Sequence, residues 1–153
     1  MDGFSRLAYT EALADETAAT TIGFLCRARV FFAAHGIHRL HRVVTDNGAN
    51  YRAKAFRRTV LSLAARHQRI RPYTPRHNGK VERFNRLLAD EVLYVRPYTS
   101  EQARRDAIGT WVNHYNYRLM FSAAGGSRGS FPRPTVRRSA AVGSTTICRP
   151  AQG

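Results

Sequence analysis

The chain has 153 residues, with 25 Lys and Arg against 10 Asp and Glu, and this net charge of +15 favours a polyanionic partner. No apolar run approaches the roughly 20 residues of a membrane-spanning helix and no signal-peptide pattern opens the chain, so we expect a soluble, cytoplasmic protein with no membrane partner. Cys26 and Cys148 fit neither a disulfide framework nor a close metal pair and are expected to be reduced thiols.

The first half of the chain alternates predicted strands and helices. Apolar and polar residues alternate over Arg6–Leu13, which predicts a strand. A helix is predicted from about Asp15, where acidic and capping residues precede an apolar series, to Gly36. A second strand is predicted over Leu40–Thr45, and a short helix over Ala53–Arg66.

The second half is predicted to be more helical. Ile70–Tyr73 is a weak third strand, and Gly79–Tyr94 has the apolar spacing of an amphipathic helix. Its apolar face consists of Val81, Phe84, Leu88 and Val92, and this leaves Glu82, Arg83 and Arg86 outside the face. Thr99-x-x-Gln102 predicts a capping box for a last helix. The buried face of that helix is expected to comprise Ala107, Ile108, Trp111, Val112 and Tyr115.

Strands interleaved with helices predict an α/β fold, and the apolar content suffices for one modest core in residues 1–122. The composition changes towards the end of the chain. From about Gly125, Gly, Ser, Pro, Thr and Arg dominate without periodicity. Residues 123–153 are therefore predicted to form a low-complexity, disordered basic tail.

Asp46 and Glu82 are the candidate catalytic and metal-binding residues, one at the end of a predicted strand and the other near the start of a predicted helix. Each has an ordinary explanation, because Asp-Asn-Gly is a common turn and an acidic residue in the first turn of a helix is favoured by the helix dipole. As a pair they are more specific. Carboxylates from separate elements can converge on two metal ions, which activate a water and stabilise the leaving oxygen at phosphorus.

Basic and polar residues surround Glu82 and are the candidate nucleic-acid contacts. They are Lys80, Arg83, Asn85 and Arg86 on the helix, with Arg76 and His77 before it. Such residues can hold a phosphate backbone. The alternative is a merely solvated basic face, because the whole chain is basic.

Three segments together resemble a known family. They are Ser5-Arg6-Leu7-Ala8-Tyr9, Thr45-Asp46-Asn47-Gly48 and the block from Tyr73 to Asn85. They are similar to the integrase core domain of bacterial insertion-sequence transposases, relatives of retroviral integrases with a ribonuclease-H-like fold. The resemblance covers about residues 2–117. It implies that Asp46 is the second catalytic aspartate and Glu82 the catalytic glutamate, both coordinating Mg²⁺ or Mn²⁺.

The resemblance also implies a function. The family performs metal-dependent cleavage of its element's DNA followed by strand transfer into a target. DNA is the implied partner, the bacterial nucleoid the implied location, and self-association is left open.

The chain departs from the family at its opening strand. The first catalytic aspartate lies upstream of the segment that matches Ser5–Tyr9, and Asp2 occupies a non-catalytic position. We therefore expect an integrase core lacking its first two strands, with a broken or two-stranded sheet, weak or absent metal binding and no activity as this chain. A non-catalytic, basic nucleic-acid-binding remnant of a transposase is the competing hypothesis.

Overall fold

Helices dominate the computed structural model, which describes residues 1–64, 66–70, 79–95, 97–123 and 140–141. In chain order the elements are α1 (Ala18–Ala34), β1 (Val43–Thr45), α2 (Ala49–Arg52), α3 (Lys54–Leu63), β2 (His67–Arg69), α4 (Gly79–Leu88), a π-helical turn (Ala89–Leu93), α5 (Glu101–Ala123) and β3 (Ala140–Ala141). Within these ranges no helix has both the length and the apolar character needed to cross a membrane.

The predicted helix starts are largely confirmed. In α1 the Thr17 side chain accepts a hydrogen bond from the Thr20 amide at 3.2 Å, and the helix ends before Gly36, whose φ of 80° suits glycine. The predicted capping box of the last helix is wrong, because Ser100 Oγ accepts from the Ala103 amide at 3.1 Å while Gln102 bonds Asp106. Ser100 therefore caps α5.

Two predicted helices differ in detail from those observed. The helix predicted over Ala53–Arg66 is two helices, because Ala53 has an extended conformation, with φ −57° and ψ 136°, between α2 and α3. The helix predicted over Gly79–Tyr94 is present, and its last turn is π-helical, with the Tyr94 amide bonded to the Ala89 carbonyl at 3.0 Å. Its apolar face is buried as predicted.

The sheet is parallel and has the order β2-β1-β3. β1 is shorter than the predicted strand Leu40–Thr45, and Leu40 makes only an isolated bridge. The strand that pairs in register with β1 is His67–Arg69, and Ile70, the first residue of the predicted strand Ile70–Tyr73, lies after it. Residues 71–73 lie outside the described residues.

β3 corrects two predictions about the end of the chain. Ala140 and Ala141 pair with Val43 and Val44, so the sheet has three strands among the described residues instead of two. Ala140 and Ala141, within the segment 123–153, therefore form a strand. The open side of β1 supplies the backbone groups to which they bond. The rest of the predicted tail after Ala123, which ends α5, lies outside the described part of the chain.

The segment Arg6–Leu13 is not a strand, which corrects another prediction. Its apolar residues nevertheless alternate between two hydrophobic clusters. The first cluster lies between this segment, α1, α3 and β1 and contains Leu7, Phe24, Leu25, Ala28, Phe32, Ile37, Leu40, Val43, Tyr51, Phe56, Val60 and Ala64. The second lies between the segment, α4 and α5 and contains Met1, Ala8, Val81, Phe84, Leu88, Val92, Ile108 and Val112. The segment therefore separates two apolar layers.

Asn116 on α5 occupies the place beside Ala8 that a neighbouring strand would take. Its Oδ1 accepts from the Ala8 amide and its Nδ2 donates to the Ala8 carbonyl, both at 2.8 Å. Asn116 is only 7% exposed and Ala8 only 1%. Both backbone groups of Ala8 are thereby satisfied without a partner strand.

His67 joins β2 to β1 and to α3. Its Nε2 lies 3.0 Å from Thr45 Oγ1, and its ring meets the Phe56 ring edge-on at 5.5 Å. Burial, with the nearby Arg69 and Arg57 guanidinium groups, lowers the pKa of His67 below its ordinary value of 6.5. The folded chain therefore favours the neutral imidazole.

Replacing Asn116 with Ala should destabilise the fold by about 2–4 kcal/mol, because it leaves the buried amide and carbonyl of Ala8 without partners. Urea unfolding of the two proteins measures this difference. Asn113→Ala, on an exposed position of the same helix, is the matched control and should change stability by less than about 0.5 kcal/mol. Equal effects of the two substitutions would contradict the role assigned to Asn116.

Acidification should destabilise the wild-type chain more than a His67→Gln variant. Because the folded-state pKa lies below the unfolded one, the stabilisation from neutral His67 is present above pH 6.5 and is lost as the pH falls through the folded-state pKa. Gln keeps an amide that can donate to Thr45 and does not titrate. Unfolding free energies measured from about pH 8 to about pH 5 test this, and parallel curves for the two proteins would refute it.

Candidate functional site

Asp46 follows the last residue of β1, as predicted, and begins the turn into α2. Its Oδ1 accepts a hydrogen bond from the Gly48 amide at 2.8 Å, so the ordinary turn interpretation is also correct. A Cβ at Gly48 would lie 2.6 Å from Asn50 Oδ1 and 3.1 Å from Asp46 Oδ1. Because Asn50 is itself bonded to Thr21 Oγ1 at 3.0 Å, the close approach at this turn requires glycine.

The turn that carries Asp46 is bonded to the end of β2. The Ile70 amide donates to the Thr45 carbonyl at 2.8 Å, and Asn47 Nδ2 donates to the Ile70 carbonyl at 2.9 Å. The carboxyl ends of the two parallel strands therefore lie at one edge of the sheet, and α4 is the next element along the described chain. Residues 71–78, which include the predicted DNA contacts Arg76 and His77, lie outside the described residues.

Glu82 lies in the first turn of α4 and is exposed. The orientation of α4 is fixed by Val81 and Phe84, which are buried in the second cluster and leave Glu82 on the solvent side of the helix. This placement agrees both with a metal ligand and with a simple favourable interaction with the helix dipole. Among the described residues, no group of three or more His, Cys, Asp and Glu side chains is arranged to hold a metal ion.

The chemistry of the two side chains nevertheless suits a divalent cation. Carboxylate oxygens are the ligands that Mg²⁺ and Mn²⁺ prefer, and Asp46 and Glu82 supply them from two separate elements. The convergence of Asp46 and Glu82 on one ion stays a prediction.

The predicted nucleic-acid contacts on α4 differ in their exposure and in their bonds within the protein. Arg83 and Arg86 are exposed, while Asn85 is half-buried. Lys80 is exposed, but its Nζ donates to the Gly3 carbonyl at 2.8 Å and so also fixes α4 to the start of the chain. Burial raises the pKa of Tyr115, against the opposing effect of Arg6 and Arg83, which places Arg83 within electrostatic reach of that ring.

Residues that position the site were harder to find in the sequence than its carboxylates. Asn47 reads only as a turn residue, and His67 lies before the strand that the sequence predicts. The available signal in the sequence is Thr45, a polar residue that follows two valines. Its buried hydroxyl requires a hydrogen-bond partner, which is His67. Nothing in the sequence identifies His67 as that partner.

Comparison with known proteins shows a resemblance to integrases and transposases. Residues 63–126 match the integrase core domain family. A 39.2 kDa protein of insertion element IS476 from Xanthomonas euvesicatoria is 35% identical over 83 residues, which are 54% of this chain and 24% of that protein. The Gag-Pro-Pol polyprotein of human T-cell leukemia virus 3 is 32% identical over 80 residues, 52% of this chain and 6% of the polyprotein.

A plant relative and a solved structure extend the comparison. The retrovirus-related Pol polyprotein from transposon TNT 1-94 of Nicotiana tabacum is 39% identical over 54 residues, 35% of this chain and 4% of the polyprotein. A chain of the simian T-cell lymphotropic virus intasome, in complex with a PP2A regulatory subunit, aligns with a TM-score of 0.52 and 28% identity over 80% of this chain and 45% of that one.

The chain thus spans at most about a quarter of the sequence relatives it matches. Its helix-rich architecture around a small sheet is a ribonuclease-H-like integrase fold. Residues 63–126 thus resemble an integrase core domain, and the chain is similar to a protein of a bacterial insertion element.

Proposed function

We propose that this chain acts in DNA transposition, as the part of a transposase catalytic core that carries the second and third carboxylates of a metal-dependent site. The observation that carries the proposal is the pair of hydrogen bonds from the Asp46 turn to Ile70, at the strand end from which the chain continues to Glu82. DNA, in a bacterial cell, is the proposed partner. The strongly basic composition supports it, because phosphates attract such a chain.

In this proposal Asp46 and Glu82 hold Mg²⁺ or Mn²⁺, and Arg83, Arg86, Arg76 and His77 contact the DNA backbone. The ions supply activation of a water and charge stabilisation at phosphorus. The protein's own contribution is positional. The Gly48 amide and the Asn47 bond orient the turn that holds Asp46, and the buried face of α4 fixes the direction of Glu82.

The 153-residue chain by itself is proposed to bind DNA without cleaving it. Two carboxylates provide fewer ligands and less negative charge than a two-metal site uses, so metal binding by Asp46 and Glu82 alone should be weak. A non-catalytic, DNA-binding remnant of a transposase is the second candidate function. The basic surface of the chain favours this second function. Whether added core residues confer DNA nicking discriminates between the catalytic and the non-catalytic function.

Adding the missing carboxylate should restore activity. We expect a chimera, in which the preceding core segment of the Xanthomonas relative is fused before Met1, to nick supercoiled plasmid in Mg²⁺ or Mn²⁺, whereas the 153-residue chain does not. In the chimera, Asp46→Asn or Glu82→Gln should each reduce the nicking rate by at least about 100-fold, as the loss of a preorganised charged group typically does.

Asp90→Asn is the matched control, since it makes the same change at an exposed position that follows α4, and it should leave the nicking rate unchanged. A chimera that folds but never nicks DNA would favour the non-catalytic remnant. Nicking by the 153-residue chain itself, abolished by Glu82→Gln, would show that no further carboxylate is needed.

DNA binding by the chain should depend steeply on salt and little on sequence. Arg83→Ala and Arg86→Ala should each flatten the plot of log affinity against log salt by about 0.9, the value of one phosphate contact. Fluorescence anisotropy between about 50 and 200 mM salt measures the slope. Arg105→Ala, which removes an arginine paired with Glu101, should leave it unchanged. Salt-insensitive binding, or strong preference for one short sequence, would contradict this.

A further inference from the structure

Positive charge is concentrated in the stretch of chain between the two carboxylates. The 35 residues from Asn47 to Val81 contain nine Lys and Arg and no Asp or Glu. The nine are Arg52, Lys54, Arg57, Arg58, Arg66, Arg69, Arg71, Arg76 and Lys80. They account for more than half of the net charge of +15 in less than a quarter of the 153 residues. This charge is therefore a local feature and not only a general property of the composition.

Part of this charge lines an open cleft along β2, which we call the β2 groove. The groove has a volume of about 600 Å³ and is lined by Leu61, Arg66, His67, Gln68 and Arg69. Arg66 and Arg69 are exposed. β2 is an edge strand, so its outer side is not covered by another strand within the described residues. The groove is open to a large partner.

The arginines of this surface are not neutralised by the protein. Within the described part of the chain, the ion pairs use Arg27, Arg104 and Arg105, whereas Arg66, Arg69 and the neighbouring Arg57 form none. Arg57 and Arg69 act on His67 from α3 and from β2, so their charges reach the groove. Like charges held this close repel one another unless an anion lies between them.

We propose that the β2 groove binds the sugar–phosphate backbone of duplex DNA without requiring a metal ion. Arg66 and Arg69 are three residues apart, about 10 Å along an extended chain, which is far enough for each to contact a different phosphate of one DNA strand. A further β-strand is a poorer occupant, because charged residues on an edge strand disfavour strand addition.

The groove also leads to the candidate site. Arg69 is opposite Thr45 in the parallel register, and Thr45 directly precedes Asp46. His67, in the wall of the groove, is bonded to the same threonine. A DNA backbone held by Arg66 and Arg69 is thereby directed towards the turn that carries Asp46. The inference rests on the proposed function and deepens it by locating a DNA contact outside α4.

Charge reversal tests the groove in the 153-residue chain. In buffer containing EDTA, Arg66→Glu with Arg69→Glu should weaken binding of a short fluorescein-labelled duplex by about tenfold or more and flatten the salt slope by about 1.8, the value of two phosphate contacts. Arg66→Lys with Arg69→Lys keeps the charge and should retain most of the affinity. The matched control is Arg105→Glu with Arg118→Glu, at two exposed positions of α5, which should change affinity less than threefold.

Circular dichroism and thermal unfolding establish that each variant is folded, and a groove variant that unfolds is replaced by Arg66→Gln with Arg69→Gln. Equal losses for the groove and α5 variants would overturn the proposal, as would a loss confined to single-stranded RNA. Absence of any duplex binding by the wild-type chain would also overturn it. The proposed function fails separately, through a chimera that does not nick DNA, while charge-reversal losses in EDTA would still support the groove.

Discussion

The bond between Asn116 and Ala8 is the interaction on which the rest of the structure depends. Residues 6–13 lie between two apolar layers, yet no strand pairs with them within the described ranges. Burying unpaired backbone groups is costly, and a single asparagine side chain supplies both a donor and an acceptor at Ala8. The bond also holds α5 against the start of the chain, and residues from both pack in the second cluster.

Polar contacts at the protein surface also hold the segment 6–13 against α1 and the first cluster. Glu11 accepts three hydrogen bonds from Arg27 on α1, the shortest at 2.7 Å, and also accepts a hydrogen bond from the Tyr9 hydroxyl. Burial and Glu11 raise the pKa of Tyr9 to about 12, so the phenol stays protonated and donates. An exposed ion pair of this kind stabilises a fold only slightly, but here it orients the segment on α1.

The short parallel sheet fixes the candidate site through its carboxyl edge. β1 is buried at all three positions, and its two neighbours approach it from opposite sides. Polar groups at the end of β1 are used almost entirely to hold β2 in place, through Thr45, Asn47 and the Ile70 backbone. Asp46 thus directly follows a strand end that is bonded to its neighbouring strand. The cationic groove lies on the outer side of the same β2.

The sequence by itself determined the helices, their buried faces and the two carboxylates, because these depend on local periodicity, capping and short motifs. Tertiary structure decided the strands. His67–Arg69 is a strand because it pairs in register with one side of β1, and Ala140–Ala141 is a strand because it pairs with the other side. In the segment Arg6–Leu13, an asparagine side chain bonds the Ala8 backbone in place of a neighbouring strand. Which distant backbone meets which is a long-range choice that local patterns do not encode.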